Sequence, residues 1–239
     1  GRGYCGTTAS SLYAIDLRGG AVAWQWNSRE NYPIACEPAL DGDGVLHFGG
    51  NWEIYAVDSD TAQTKWRRFA STFGLSYFCP GHAAPLIVDD LVVHSRPFNA
   101  CEGDRQSLLQ VMNRHDATKP LNEETAGCFA ATHPRYANFP GMRQSSPVLY
   151  DGRVYVLANG LFGFDPYAVE EAVLETDAGG PGSTTVAIAD GVAYASHHRG
   201  IGAYDLRADG RPLWQIPHEP ARLQFSGGPD WVQVGAHGK

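Results

Sequence analysis

The sequence predicts an all-β fold built from repeated units: a propeller, solenoid or array. Three observations predict it. A short apolar segment ending in aspartate recurs as Leu12-Tyr13-Ala14-Ile15-Asp16, Ile54-Tyr55-Ala56-Val57-Asp58, Leu161-Phe162-Gly163-Phe164-Asp165 and Ile201-Gly202-Ala203-Tyr204-Asp205. A tryptophan follows three of these copies (Trp24, Trp66, Trp214), and Leu174 stands in its place after the other. Asp16 and Asp58 lie 42 residues apart and Asp165 and Asp205 lie 40 apart. Recurrence at about 40 residues marks a repeat architecture.

The elements follow in order. The first unit has a strand from Tyr4 to Thr8, a turn at Ala9-Ser10-Ser11, a strand from Leu12 to Asp16, a hairpin turn at Arg18-Gly19-Gly20 and a strand from Ala21 to Trp26. Alternating apolar and polar residues bounded by Gly and Ser are the pattern of half-buried strands. One strand before Tyr4 is missing from the pattern. The second unit is complete, with strands at Glu37–Leu40, Val45–Phe48, Trp52–Asp58 and Thr64–Arg68. Its turn, Asp41-Gly42-Asp43-Gly44, has calcium-loop character but lacks the downstream glutamate of an EF-hand; as an Asp-Gly hairpin turn it needs no metal.

The third unit starts regularly, with Ala84–Val88, a turn at Asp89-Asp90 and Leu91–Ser95. It then departs from the repeat. Arg96 to Gln106 is polar, Ser107–Asn113 reads as the third strand, His115 to Gly127 is polar again, and Cys128–Ala131 follows. Long loops on a rigid β scaffold concentrate function, so the 96–139 insertion is the first place to look for a binding surface. The fourth unit runs through Ser146–Tyr150, an Asp151-Gly152 turn, Val154–Leu157, Leu161–Asp165 and Ala172–Glu175. The fifth runs through Thr185–Ala189, Asp190-Gly191, Val192–Ser196, Ile201–Asp205 and Pro212–Ile216. Residues 222–235 resemble the first two strands of a further unit. The chain opens in strand-like sequence without an initiator methionine, and it is expected to be a partial or processed product. The whole reads as one domain over 1–239, with repeats near 3–26, 35–68, 83–139, 145–175 and 184–216 and a partial one at 221–239.

Composition bounds the function. Hydrophobic residues make up 43% and charged residues 18%, with 28 Gly and 15 Pro; this suits short strands joined by tight turns and can bury a sizeable core. A formal charge of −8 argues against a nucleic-acid surface, which would be basic. No stretch approaches the roughly 18 apolar residues of a membrane-crossing helix. The five cysteines (Cys5, Cys36, Cys79, Cys101, Cys128) form no CxxC and no vicinal pair, so zinc ribbons and thioredoxin-like redox motifs lack support. Widely spaced cysteines in such a protein fit an oxidising, extracytoplasmic compartment. Cys101 and Cys128 bracket the insertion, where a bridge restricts the chain most, and they are the expected pair. Cys36 with Cys79 is a second candidate, one cysteine stays odd, and the bland alternative is a set of buried thiols.

Other candidates weigh less. His197-His198 is the one adjacent histidine pair, yet neighbours on a strand point to opposite faces; an exposed polar loop is the better reading. His82, His94, His115 and His133 lie near Cys79, Cys101 and Cys128 without any metal-ligand spacing. Ser145-Ser146 has no Gly-x-Ser-x-Gly frame.

The run of small residue, Ser-Pro, apolar strand, Asp-Gly turn, apolar strand, Leu-Tyr-Ala-Ile-Asp and Trp resembles the repeat of the pyrroloquinoline quinone (PQQ)-type propellers. The resemblance covers about Tyr4 to Ile216 and is weakest between Arg96 and Phe139. It implies a β-propeller of four-stranded antiparallel blades, about five of them recognisable, with partial blades at both ends. It also implies that Trp24, Trp66 and Trp214 dock between neighbouring blades, and that Cys36, Glu37, Ser145, Ser146, Thr184 and Thr185, at strand starts, line a central channel. The family has two branches. The quinone-dependent alcohol and sugar dehydrogenases would bring PQQ with calcium or a lanthanide, an aspartate base and often a vicinal disulfide; no vicinal cysteines occur, and no aspartate matches that base. The other branch comprises non-catalytic propellers of the outer-membrane assembly type, which bind partner proteins. The expectation is therefore a non-catalytic scaffold or subunit of an extracytoplasmic assembly, with other protein subunits as partners, no cofactor and no metal. Part of a PQQ dehydrogenase is the alternative, and a carbohydrate- or ligand-binding propeller the second.

Overall fold

The computed structural model describes residues 1–7, 9–28, 34, 37–50, 53–69, 83–95, 107–116, 129–132, 146–157, 160–168, 174–176, 186–197 and 200–217. These form five antiparallel sheets in chain order. Blade 1 contains β1 (Arg2–Gly6), β2 (Ser11–Asp16) and β3 (Val22–Asn27). Blade 2 contains β4 (Ala39–Leu40), β5 (Val45–Gly49), β6 (Glu53–Asp58) and β7 (Thr64–Phe69). Blade 3 contains β8 (Leu86–Val88), β9 (Leu91–Ser95), β10 (Ser107–Asn113) and β11 (Phe129–Thr132). Blade 4 contains β12 (Val148–Tyr150), β13 (Arg153–Leu157), β14 (Leu161–Phe164) and β15 (Leu174–Thr176). Blade 5 contains β16 (Ala187–Ala189), β17 (Val192–His197), β18 (Gly200–Asp205) and β19 (Arg211–Pro217). Each is a meander, every strand pairing with the one before it, and the first strands β8, β12 and β16 lie side by side. This is the propeller arrangement, and among the described residues it contains no α-helix, only a 3₁₀ turn at Leu206–Ala208.

Turn chemistry explains why the chain doubles back where it does. Asp151 and Gly152 sit at φ 48° and 73°, and Asp190 and Gly191 at φ 51° and 76°; two positive φ values in a two-residue connection are what Asp-Gly supplies at least cost. The recurring aspartate has a second use. Asp16, Asp58, Asp165 and Asp205 each accept, on Oδ1, the backbone N–H two residues on (Arg18, Asp60, Tyr167 and Arg207). Asn113 does the same with His115 N–H, so blade 3 carries the same Asx-turn with asparagine in place of aspartate.

The core lies between sheets rather than in one place. Leu12 and Ile34 pack with Leu46, Phe48, Tyr55 and Val57 between blades 1 and 2. Ile54, Ala56 and Trp66 pack with Val92 and Met112 between blades 2 and 3. Tyr155, Leu157 and Leu161 pack with Ala193, Ala195, Tyr204 and Leu206 between blades 4 and 5. Alternation along the strands gives blade 2 two apolar faces, one for each neighbour. Observed strands differ from the expected ones by a residue or two at their ends. Of the 96–139 insertion, only 107–116 and 129–132 fall within the described residues.

Candidate functional site

The sheets are joined by a repeated contact. In a meander, the turns after the first and third strands lie at one end of the sheet, and here they form a common rim. Trp24 of blade 1 donates its indole N–H to the Ser59 carbonyl of blade 2 at 2.9 Å. Trp66 of blade 2 donates to the Arg114 carbonyl of blade 3 at 2.8 Å. Ser59 and Arg114 occupy the same place, one residue after the Asx corner at Asp58 or Asn113. The Asx-turn thus presents a carbonyl outward, and the preceding blade's tryptophan closes on it. Further links reinforce the rim. Arg2 reaches Asp60 at 2.7 Å, Trp26 Nε1 donates to Thr64 Oγ1 at 3.0 Å, and Tyr167 of blade 4 donates its hydroxyl to Asp89 of blade 3 at 2.8 Å. That last bond stabilises the protonated phenol and pushes the Tyr167 pKa up.

The densest polar group sits where blades 2 and 3 meet. His47 Nε2 lies 2.9 Å from Asp41 Oδ2, with both side chains buried. Arg114 Nη1 lies 2.9 Å from Asp41 and 2.8 Å from Asp43, and His115 Nε2 lies 3.1 Å from Asp90. Asp41 Oδ1 also accepts the backbone N–H groups of Asp43 and Val45. Burial by itself raises the Asp41 pKa, but hydrogen bonds from His47, Val45 and Arg114 outweigh it and hold the carboxyl below its ordinary range. Burial likewise lowers the His47 pKa, against the pull of Asp41. The imidazole is neutral: its Nε2–H donates to Asp41, and its buried Nδ1 meets no partner among the described residues. Arg114 supplies the compensating charge, its own pKa raised by Asp41 and Asp43 against the effect of burial. A carboxylate flanked by a neutral imidazole and a guanidinium is held rigid, and the arrangement clamps two blades together. Sequence reading missed it. The available signal was the asparagine at the end of the Ser107–Asn113 strand, which marks Arg114 as the next acceptor corner.

The remaining sequence-derived candidates are dispersed. Trp214 lies on the outermost strand of blade 5, half exposed, its ring 6.3 Å from that of Tyr194. Glu37 is exposed just before β4. Ser146 precedes β12, and its Oγ accepts the Ala84 N–H at 3.0 Å, tying the starts of blades 3 and 4 together. Cys36, Ser145, Thr184, Thr185 and the Cys101–Cys128 pair lie outside the described residues, as do Cys36's candidate partner Cys79 and His198. Cys5 is a free, exposed thiol. Among the described residues, no three His, Cys, Asp or Glu side chains converge as metal ligands, and Arg114 fills the space between Asp41 and Asp43. The rim is acidic: Asp16, Asp43, Asp60, Asp89, Asp90, Asp151, Asp165, Asp190 and Asp209 are exposed on its turns. No helix among the described residues is long and apolar enough to cross a membrane.

Comparison with known proteins agrees with this architecture. A family model described as "Outer membrane protein assembly factor BamB" matches residues 8–232. A comparison with curated proteins finds no match. Among solved structures, BamB from Moraxella catarrhalis is similar at a TM-score of 0.64 and 16% identity, covering 90% of this chain and 60% of that one. Quinohemoprotein alcohol dehydrogenase from Comamonas testosteroni is similar at 0.67 and 13%, covering 92% and 42%. A europium-containing methanol dehydrogenase is similar at 0.60 and 13%, covering 90% and 49%. The chain spans less than two thirds of the length of each. At these identities the likeness to structures speaks to the fold.

Proposed function

We propose, from the premise that this chain belongs to the family described as outer membrane protein assembly factor BamB, that it is a non-catalytic propeller serving as a protein-binding subunit of an extracytoplasmic assembly. The observation that carries the reading is the extent of the family match, which runs through all five blades, together with a polar group between blades 2 and 3 that is spent on joining sheets. The partners are other proteins, engaged through the turns and loops that the blades hold at fixed spacing. Rigid sheets clamped by interblade tryptophans and an ion-pair cluster suit such a role, because a preorganised surface loses little entropy on binding.

The rival reading, part of a quinone-dependent dehydrogenase, draws on the likeness to two dehydrogenase structures. Titrating the purified protein with PQQ and calcium separates the two. The scaffold reading expects no saturable quinone absorbance and no dye-linked alcohol oxidation. Turnover that rises with bound quinone would overturn it.

A further inference from the structure

The joint between blades 2 and 3 encloses a proton acceptor. The His47 side chain has 0% exposure and that of its partner Asp41 has 1%. Strand register fixes where the ring lies: Ala39 on β4 and Ala56 on β6 stand opposite His47, and the Trp66 ring is 5.7 Å away. Ala56 and Trp66 belong to the apolar cluster, with Ile54, Val92 and Met112, that seals the two sheets. His47 Nε2 is committed to Asp41 Oδ2 at 2.9 Å, and Arg114 Nη1 binds the same oxygen at 2.9 Å. His47 Nδ1 is buried and meets no partner.

A second proton on this ring would form a buried N–H without an acceptor, and the full desolvation of that group would count against the closed joint. It would also place a new cation beside Arg114, on an oxygen the two already share. Among the described residues, the other charged groups near the joint give no relief. Asp43 is bound by Arg114, Asp90 takes His115 at 3.1 Å, and Asp58, farther along β6, pairs with Lys65. Arg68, opposite Ile54, is a cation, and His94, buried on β9, can only become one. Arg114 is the group with a way out, since its side chain lies at the rim with 15% exposure. It carries both the clamp on Asp41 and the carbonyl that accepts the Trp66 N–H.

We propose that the blade 2–blade 3 joint is a proton-operated latch: a proton taken up by His47 displaces Arg114 from Asp41 and opens the rim end of the joint while the sheets stay intact. The latch is shut at neutral pH and released in mildly acid surroundings, which loosens the spacing of the turns on these two blades. Burial lowers the His47 pKa in the closed joint, whereas opening returns the ring to water and its ordinary value. Acid therefore favours the open form, and its population should rise about tenfold between pH 7.5 and 5.5.

Methionine oxidation by hydrogen peroxide reads this opening, because a thioether does not titrate in this range and reacts only where it is reached. Met112 lies in the joint at 0% exposure. Leu157→Met, a volume-conserving change, puts a reference methionine in the buried cluster between blades 4 and 5. Peptide mapping of the full chain should show Met112 oxidised about tenfold faster at pH 5.5 than at 7.5, with the reference unchanged. In His47→Gln, whose amide can still donate to Asp41 but cannot take up a proton, the rise at Met112 should vanish. A Met112 rate that stays flat in the wild type would overturn the proposal, as would an equal rise at the reference position. These two outcomes are read without His47→Gln and hold even if circular dichroism shows that variant to be misfolded. An undiminished rise in folded His47→Gln would also overturn it, moving the switch to another group such as His94.

Discussion

Replacing Trp66 and Trp214 by alanine separates joint formation from mere sequence repetition. Both residues occupy the same place in the repeat, yet their surroundings differ. Trp66 is buried against Ile54, Ala56, Val92 and Met112, lies 5.7 Å from the His47 ring and donates to the Arg114 carbonyl. Truncating a buried tryptophan costs about 3–5 kcal/mol through lost transfer energy and the cavity left behind, and an orphaned carbonyl accounts for roughly 1 kcal/mol of that range. Trp66→Phe keeps most of the ring and should lose about 1–2 kcal/mol. Trp214 is half exposed and its indole N–H meets no acceptor among the described residues, so Trp214→Ala should cost about 1 kcal/mol or less. Urea denaturation followed by far-UV circular dichroism reads the difference. With a slope of about 2–3 kcal/mol per M, Trp66→Ala should lower the midpoint by about 1–2 M while Trp214→Ala barely moves it. Equal midpoints for the two alanine variants would refute the reasoning, because burial and the indole hydrogen bond would then have no bearing on stability.

Other outcomes follow from the same geometry. His47 is held neutral by burial, with a pKa below its ordinary 6.5. The unfolded chain therefore binds a proton there before the folded one does, and stability should fall as pH drops below about 6.5. The Asp41 carboxyl is depressed from its ordinary 3.8, so its contribution is present above that value and lost as pH falls below it. In His47→Gln the decline below about 6.5 should shrink, as thermal melting from pH 8 to 3 would show; identical profiles would count against the buried neutral imidazole. Gly200 has φ 149°, and an added Cβ would run into the Ile216 carbonyl, so Gly200→Ala should destabilise the protein by about 2 kcal/mol or more in thermal melts. Peptide mapping without reductant should find Cys101 bridged to Cys128 and Cys5 alkylated in the native state; alkylation of both Cys101 and Cys128 would end the pairing.

Much of the fold could be read from the chain because a blade is a local object. The 40-residue period, the Asp-Gly turns and the alternating strands all act within one repeat, and the strands stand where those signals place them. What joins one blade to the next is less legible, since it depends on which backbone carbonyl the next corner presents. Trp66 was visible as a repeated residue, but its acceptor at Arg114 was not, because Asn113 replaces the aspartate that marks the other corners. The Asp41–His47 pair was hidden for a related reason. Asp41 belongs to a turn that reads as ordinary Asp-Gly chemistry, and the period places His47 on a strand without saying that the third blade will bring Arg114 over both. The 3₁₀ turn at Leu206–Ala208 also escaped notice, although Asp205 caps it by accepting the Arg207 N–H.

The central claim, that this propeller works by holding a protein partner, is tested most directly by photo-cross-linking in the cells that make it. A cross-linking amino acid placed singly at Asp90, Asp151 and Asp190, all exposed on the rim, samples three neighbouring blades. The claim predicts discrete protein adducts of fixed mass at one or more of these positions. Illumination that yields no protein adduct at any of the three would contradict it.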